Sequence, residues 1–438
     1  MKLKEKYIQI SLVIITVVMT ILRFLLNEKG RVNPDSINYM RFAHVFPVID
    51  NTTTPAGYPV SIKLLTYFGL DEFWSSKAVG IFALLFIVFF AWKKNFYLKE
   101  SIIICSLFSF LSIFSFTMSE ALILPFVMIL LYVAHLTITE KLPKWKAVFY
   151  ISLTLILLYN IRYSSLFIIG GTGLFGLIFR RKKYGSAFIF SGAIGLAFVV
   201  LFRIIYIDYF NEDYLKDSLI IGLYPTSKLL PELFQGLMTS FNPFIHIADP
   251  NGGKINYAIY GIGFLNMMMM VYVLIKNKLN DTEIYYTVLG ISGIICSYFV
   301  QYFYPVNALD YRLLAPFILG LWLVYFNKLF KIFDTKVYLI GILSLCSGML
   351  FTWLSRGNYL ENRKNAADFL KNEKLDKASL KFYIIEEKDL EKVQIAEIIS
   401  TVNSDISLTI KPSDTLQKTT LTVHKVLQKI KIDKNKYQ

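Results

Sequence analysis

The chain is expected to be an all-α polytopic membrane protein of about eleven transmembrane helices, with outer-face loop helices and a small α/β C-terminal domain. Three observations lead there. Hydrophobic residues make up 55% of the 438 positions. They gather in runs close to the roughly 20 residues that a helix needs to cross a ~30 Å hydrocarbon core. After Trp353 the apolar runs stop and charges become dense. A soluble helix of comparable length would interrupt such runs with a polar face at every turn.

The first apolar run, 7–26, follows Lys2, Lys4 and Lys6 and has no small-residue cleavage site after it. It is read as a retained anchor, not a removed signal. Further spans are placed near 78–92, 101–117, 121–138, 147–161, 165–179, 185–206, 257–275, 284–303, 312–327 and 337–354. Lysine and arginine in short loops mark the cytoplasmic side. With the N-terminus inside, the inner segments carry eighteen of them, including the run Arg180, Arg181, Lys182, Lys183. The short outer turns near 118–120, 162–164 and 304–312 carry only Arg162 and Arg312. The formal charge of +15 is therefore largely a topology signal, and no nucleic-acid partner is implied.

Cys105, Cys296 and Cys346 stand singly inside apolar runs and are read as buried small hydrophobes. This pattern, without outer-face cysteine pairs, is compatible with a bacterial cytoplasmic (inner) membrane protein. Four scattered histidines give no all-protein metal cage. The sequence requires no cofactor. A divalent ion on carboxylates with one histidine stays open but unsupported.

The expected domains are a membrane part, 1–354, and a small outer-face tail, 355–438. Two long outer loops, about 27–77 and 208–256, interrupt the membrane part. In the tail, NAADFLKNEK and VQIAEIISTV have helical periodicity, and LKFYIIEE and ISLTI alternate as strands do. The tail is near the lower size limit for an independent core and is expected to lean on the membrane part or its second loop.

Candidate chemistry sits on the outer side. In Asn33-Pro34-Asp35-Ser36, asparagine caps a helix, proline takes its first position and Asp35 falls in the first turn. The same acid, four residues before Tyr39, could take a proton from a hydroxyl. Pro55-Ala56-Gly57-Tyr58-Pro59 is a turn into a helix that would return Tyr58 towards Asp35. Ser119-Glu120 opens an apolar run, and Glu120 would emerge at the hydrocarbon edge, where carboxylates are uncommon and often functional. Arg162, Arg203 and Arg312 at outer span ends either snorkel to headgroups or converge on a phosphate. Lys63 and His44 are candidate helpers, and Tyr311 precedes Arg312.

These motifs, in this order, resemble the GT-C glycosyltransferases. PDSINYMRFAHVF, TPAGYPVSIKLLTYFGL, FTMSEALILPF, NIRYSSL and YRLLAPFILGLW look like the bacterial branch related to protein O-mannosyltransferases and the lipid A aminoarabinose transferase. The resemblance covers residues 1 to about 330. It implies inverting transfer of a sugar from a polyprenyl-phosphate carrier to a lipid, glycan or protein acceptor at the outer membrane face. Asp35 would be the catalytic base. Arg312, Arg162, Arg203 and Lys63 would bind the donor phosphate, and Tyr39, Tyr58, Glu120, His44 and Tyr311 would support the substrates. The chain departs from members with paired acids, because Ser36 follows Asp35, and Ala56 stands where the turn often has a second proline. No metal role is assigned. The absence of a glycine-rich dinucleotide turn or P-loop fits a lipid-linked donor. The alternatives are a polysaccharide polymerase or ligase using polyprenyl-pyrophosphate glycans, and a lipid-linked sugar flippase. The flippase is disfavoured because the span centres are apolar.

Overall fold

The computed structural model describes residues 2–49, 54–210, 226–247, 253–304, 309–385, 390–427, 429–430 and 432. Parts of the second expected loop, 211–225 and 248–252, lie outside the described residues. In chain order the first helices are α1 (Lys2–Leu25), α2 (Pro34–Val45), α3 (Gly57–Thr66), α4 (Glu72–Lys94), α5 (Leu98–Ser106), α6 (Phe108–Ser115) and α7 (Ser119–Ile138). They are followed by α8 (Lys144–Ile161), α9 (Leu166–Ile178), α10 (Gly185–Phe202), α11 (Thr226–Phe241), α12 (Ile255–Lys276), α13 (Asp281–Phe303), α14 (Tyr311–Phe333) and α15 (Tyr338–Leu354). The tail contains α16 (Tyr359–Asn372), β1 (Leu380–Tyr383), α17 (Leu390–Ser400), β2 (Ile406–Thr409) and β3 (Thr420–Leu421).

All eleven expected apolar segments are helical, yet fewer stand as full spans. Among the described residues seven helical stretches are long and apolar enough to cross a membrane, or eight if a bent pair is one span. The bent pair is α5 and α6, which turn by 73° across Leu107. Two lysines at the start of α8 and Asn160 near its end dilute that helix, and α9 has only 13 residues. The segment Tyr311–Leu354 runs 44 residues as one helical stretch. At 1.5 Å per residue it is about twice as long as one crossing requires. A 3₁₀ turn at Asp334–Val337, with Asp334 at φ +49°, divides it. Cys105 is buried as expected, whereas Cys296 is half-buried and Cys346 exposed on the surface of α15. The structure is that of a helical, multi-pass membrane protein.

The chain divides into two compact units. One takes residues 17–82, 112–121 and 349–438; the other takes 1–16, 83–111 and 122–348. In the first unit the tail forms a three-stranded parallel sheet in the order β2-β1-β3. Leu380 pairs with Ile406 and Lys381 with Thr420. Joining β1 to a parallel β2 requires a crossover, which α17 supplies. The core beneath holds Phe369, Leu380, Phe382, Ile395, Ile398 and Ile406, and Ile37 of α2 completes it. The tail therefore leans on the first loop. A fully buried Ile or Phe contributes about 1.5–3 kcal/mol, so this shared core outweighs the ion pairs around it. Those pairs are Lys29–Glu397 at 2.7 Å, Arg41–Asp405 at 2.7 Å and Arg363–Asp71.

Gly30 sits at φ +67°, and a Cβ there would lie 2.8 Å from the Tyr359 ring and 2.9 Å from Phe73. The chain therefore turns beneath two aromatic faces at the one residue type that fits both limits. In the other unit, α9 packs on α10, and α13 packs on α14. Lys328 and Glu283, both buried, pair at 2.7 Å and pin α14 to α13.

Candidate functional site

The start of α2 forms as its sequence dictates. The Asn33 side chain accepts from the Ser36 amide at 2.9 Å, and the Asn33 amide donates to Ser36 Oγ at 3.1 Å. This reciprocal cap, with Pro34 in the first turn, satisfies donors that a helix start leaves open. Asp35 follows on the exposed side of that turn. One turn further, Tyr39 is buried at 9% exposure. The pair spans the border between solvent and core.

Beneath Asp35 is a compact polar and aromatic set. The Tyr39 ring meets the Tyr58 ring edge-on, with centroids 5.1 Å apart. Tyr39 OH and Ser119 Oγ lie 3.0 Å apart. Ser119 starts α7, and next to it Glu120 is fully buried. Ser119 Oγ reaches Glu120 Oε2 at 3.5 Å. Burial, with Tyr39 and Glu120 adding to it, pushes the Tyr58 phenol well above its usual pKa. Tyr58 is therefore a neutral hydrogen-bonding group and not a base.

The other end of α2 has a second cluster. His44 Nδ1 and Glu72 Oε1 lie 2.8 Å apart, and Lys63 Nζ donates to the His44 carbonyl at 3.0 Å. The hydrogen bond to Glu72 raises the His44 imidazole above its ordinary value. Lys63 thus belongs with His44 within the first unit.

The expected phosphate-binding arginines belong to the second unit, each with a local partner. Arg162 Nε donates to Ser164 Oγ at 2.9 Å. Arg203 lies in a π-helical turn, Arg203–Ile207, 3.4 Å from Asp208. Arg312 Nε donates to Asp310 Oδ2 at 2.7 Å, and the same aspartate caps the start of α14. Tyr311 packs on His246, with ring centroids 4.0 Å apart.

Three residues of the first unit escaped the sequence reading. Ser76 Oγ and Thr117 Oγ1 lie 2.8 Å apart, and Ser36 Oγ donates to the Thr117 carbonyl at 2.7 Å. Lys77 is 2% exposed and donates to the carbonyls of Arg31 and Ser115. The apolar run suggests a span from 78, whereas the helix begins at Glu72 and takes in Lys77. An ionisable residue at the edge of an apolar run is the signal that would have found it. Among the described residues no group of three or more His, Cys, Asp or Glu side chains could hold a metal ion.

No protein-family model matches the chain, and no curated protein matches its sequence. Solved structures do. An oligosaccharyltransferase from Archaeoglobus fulgidus, tethered to an acceptor peptide, aligns with 93% of this chain at 12% identity and a TM-score of 0.48. The chain spans only 64% of that protein's length. ArnT from Cupriavidus metallidurans in its apo state aligns with 97% of the chain, over 89% of its own length, at 13% identity and a TM-score of 0.42. Bound to undecaprenyl phosphate, ArnT aligns with 95% of the chain, over 89% of its own length, at 10% identity and a TM-score of 0.40.

Proposed function

We propose that this protein is an inverting glycosyltransferase of the GT-C kind. It moves a sugar from a polyprenyl-phosphate carrier to a lipid, glycan or protein hydroxyl at the outer face of a bacterial inner membrane. The observation that carries this reading is the start of α2, where an exposed carboxylate stands one turn from a buried Tyr39–Tyr58–Ser119–Glu120 set. The order of motifs along the chain supports it.

In this mechanism Asp35 accepts the proton of the acceptor hydroxyl as its oxygen attacks the anomeric carbon. The bond from that carbon to the phosphate oxygen breaks, the lipid phosphate leaves with the electron pair, and the anomeric carbon inverts. A phosphate leaves without being protonated, so one base is sufficient and the paired carboxylates of a glycosidase are unnecessary. The leaving group needs positive charge, which Arg312 and its companions Arg162, Arg203 and Lys63 supply by guanidinium or ammonium contact. Tyr39, Tyr58 and Glu120 shape the wall beneath the base, and Tyr311 and His44 are assigned to substrate support.

The test uses purified protein in detergent with undecaprenyl phosphate, the lipid bound in one of the similar structures, carrying a panel of monosaccharides. The wild type should be stabilised against heat by a monophosphate-linked sugar and should transfer it. Asp35→Asn should keep the stabilisation and lose about 10²–10⁴-fold in transfer, the usual worth of a general base. Full transfer by Asp35→Asn removes Asp35 from the mechanism. Preference for a pyrophosphate-linked oligosaccharide replaces this reading with a polymerase or ligase.

A further inference from the structure

Lys77 is the buried charge that the proposed mechanism does not use. Its ammonium lies one turn into α4 and is 2% exposed. Among the described residues no carboxylate pairs with it. Its partners are the carbonyl of Arg31 at 3.2 Å and the carbonyl of Ser115 at 3.0 Å. The faces of Phe73 and Phe24 stand 5.0 and 5.5 Å from Nζ. Burying a charge without a counter-charge is costly, and packing alone would be served better by a methionine of similar length.

The two carbonyls say what the charge does. Ser115 is the last residue of α6, where a helix leaves its carbonyls open and its dipole attracts a cation. Arg31 stands two residues before the cap of α2. One turn along α4 from Lys77, a Cβ at Gly80 would lie 2.1 Å from the Phe114 carbonyl. Only glycine lets the α4 backbone approach α6 closely enough to bring Lys77 under Ser115.

Around this contact the linker 116–118 is tied to α2. The Thr117 amide donates to the Arg31 carbonyl at 3.2 Å, the same oxygen that Lys77 holds. Ser36 Oγ donates to the Thr117 carbonyl, and Ser76 Oγ meets Thr117 Oγ1. Directly beyond these ties come Asp35 on one strand of chain and Ser119 and Glu120 on the other.

We infer that Lys77 is a positioning residue that sets the distance between the Asp35 turn and the Ser119–Glu120 helix start by clamping the Arg31 and Ser115 carbonyls together. This rests on the transferase reading for its consequence in catalysis. The clamp itself is measurable without any assay. Misplacing a catalytic group by about an ångström costs roughly 10²-fold in rate, and that is the loss expected here.

The experiment compares wild type, Lys77→Met and Lys77→Arg by amide hydrogen exchange and by sugar transfer. In Lys77→Met, exchange should quicken at 31–37 and 116–121 and stay unchanged in the tail sheet. Turnover should fall roughly 10²-fold while KM for the donor and its thermal stabilisation persist, the pattern of a lost transition-state arrangement. Lys77→Arg, which keeps a donor for both carbonyls, should restore part of the turnover. Unchanged exchange at both segments overturns the clamp. Quickened exchange with unchanged turnover reduces Lys77 to a helix cap and also overturns the inference. If the wild type moves no sugar while Lys77→Met still quickens both segments, the transferase reading fails and the clamp stands. Should Lys77→Met fail to fold, Thr117→Val removes the Ser76 tie alone. The same exchange pattern at smaller amplitude is then expected, and its absence is fatal to the proposal.

Discussion

Asp35 and Gly30 differ in how much of their role the sequence makes visible. Asparagine, proline and aspartate in succession announce a helix start, and the cap forms with the expected Asn33–Ser36 reciprocity. The neighbourhood of Asp35 was legible only in part. Tyr39, Tyr58, Ser119 and Glu120 are named from motif order, but Ser76, Thr117 and Lys77 join them through contacts that, with the Tyr39–Ser119 one, link residues 38 to 81 positions apart. No local period encodes such contacts. Gly30 gave no signal at all in a polar loop. Its value rests on a ring, Tyr359, far along the chain. Gly30→Ala should destabilise the protein by about 2–4 kcal/mol. Roughly 1–2 kcal/mol of this is left-handed backbone strain, and overpacking against the two rings costs about as much again. A thermal midpoint in detergent that does not move would show that the rings give way freely.

At the scale of elements, the tail was the better-read region. Both expected helices and both expected strands form near their segments, because alternation and helical periodicity are local. The third strand is two residues long and carries no pattern of its own. The tail is expected to lean on the membrane part or its second loop, and it is the first loop that completes its core, because Ile37 looks like any apolar residue of an amphipathic helix. Glu397 of α17, buried against the first loop at Lys29, gives this contact a pH dependence. Burial raises its carboxyl to about 7, and Lys29 opposes that rise only partly. The folded state therefore holds a proton that an unfolded chain releases near 4.5. The stability from this group is complete below about 4.5 and is lost as pH rises through about 7, a change on the order of 3 kcal/mol. His44, raised by Glu72, acts in the same direction. Hydrogen exchange of the tail sheet, corrected for its intrinsic rise with pH, should quicken between about pH 4.5 and 7 and level off above that. Glu397→Gln should flatten that profile, and an unchanged slope in the variant would assign the effect elsewhere.

For the whole molecule, composition disclosed a membrane protein and the runs disclosed where its helices lie. The number of crossings was not readable. Apolar length alone does not separate one bent span from two short ones, nor one 44-residue stretch from a pair. Parity sets the side on which the tail emerges. Seven or eleven crossings put the N-terminus and the tail on opposite sides, and eight put them together. With the natural cysteines replaced, Leu416→Cys in the tail should react with a membrane-impermeant thiol reagent in intact cells. Lys182→Cys in the basic loop should react only after the membrane is opened. Labelling of both without opening would refute the charge-based orientation. The unit that holds Asp35 has a different consequence. It is assembled from residues 17–82, 112–121 and 349–438, so its last piece leaves the ribosome about 270 residues after its first loop. At 5–20 residues per second that is a delay of roughly 15–50 s. Throughout it Ile37, Met40 and Phe73 have no Tyr359 or tail core to cover them. The newborn first loop must wait in a sticky, half-made state, and a nascent chain that stalls before residue 349 leaves that half permanently open.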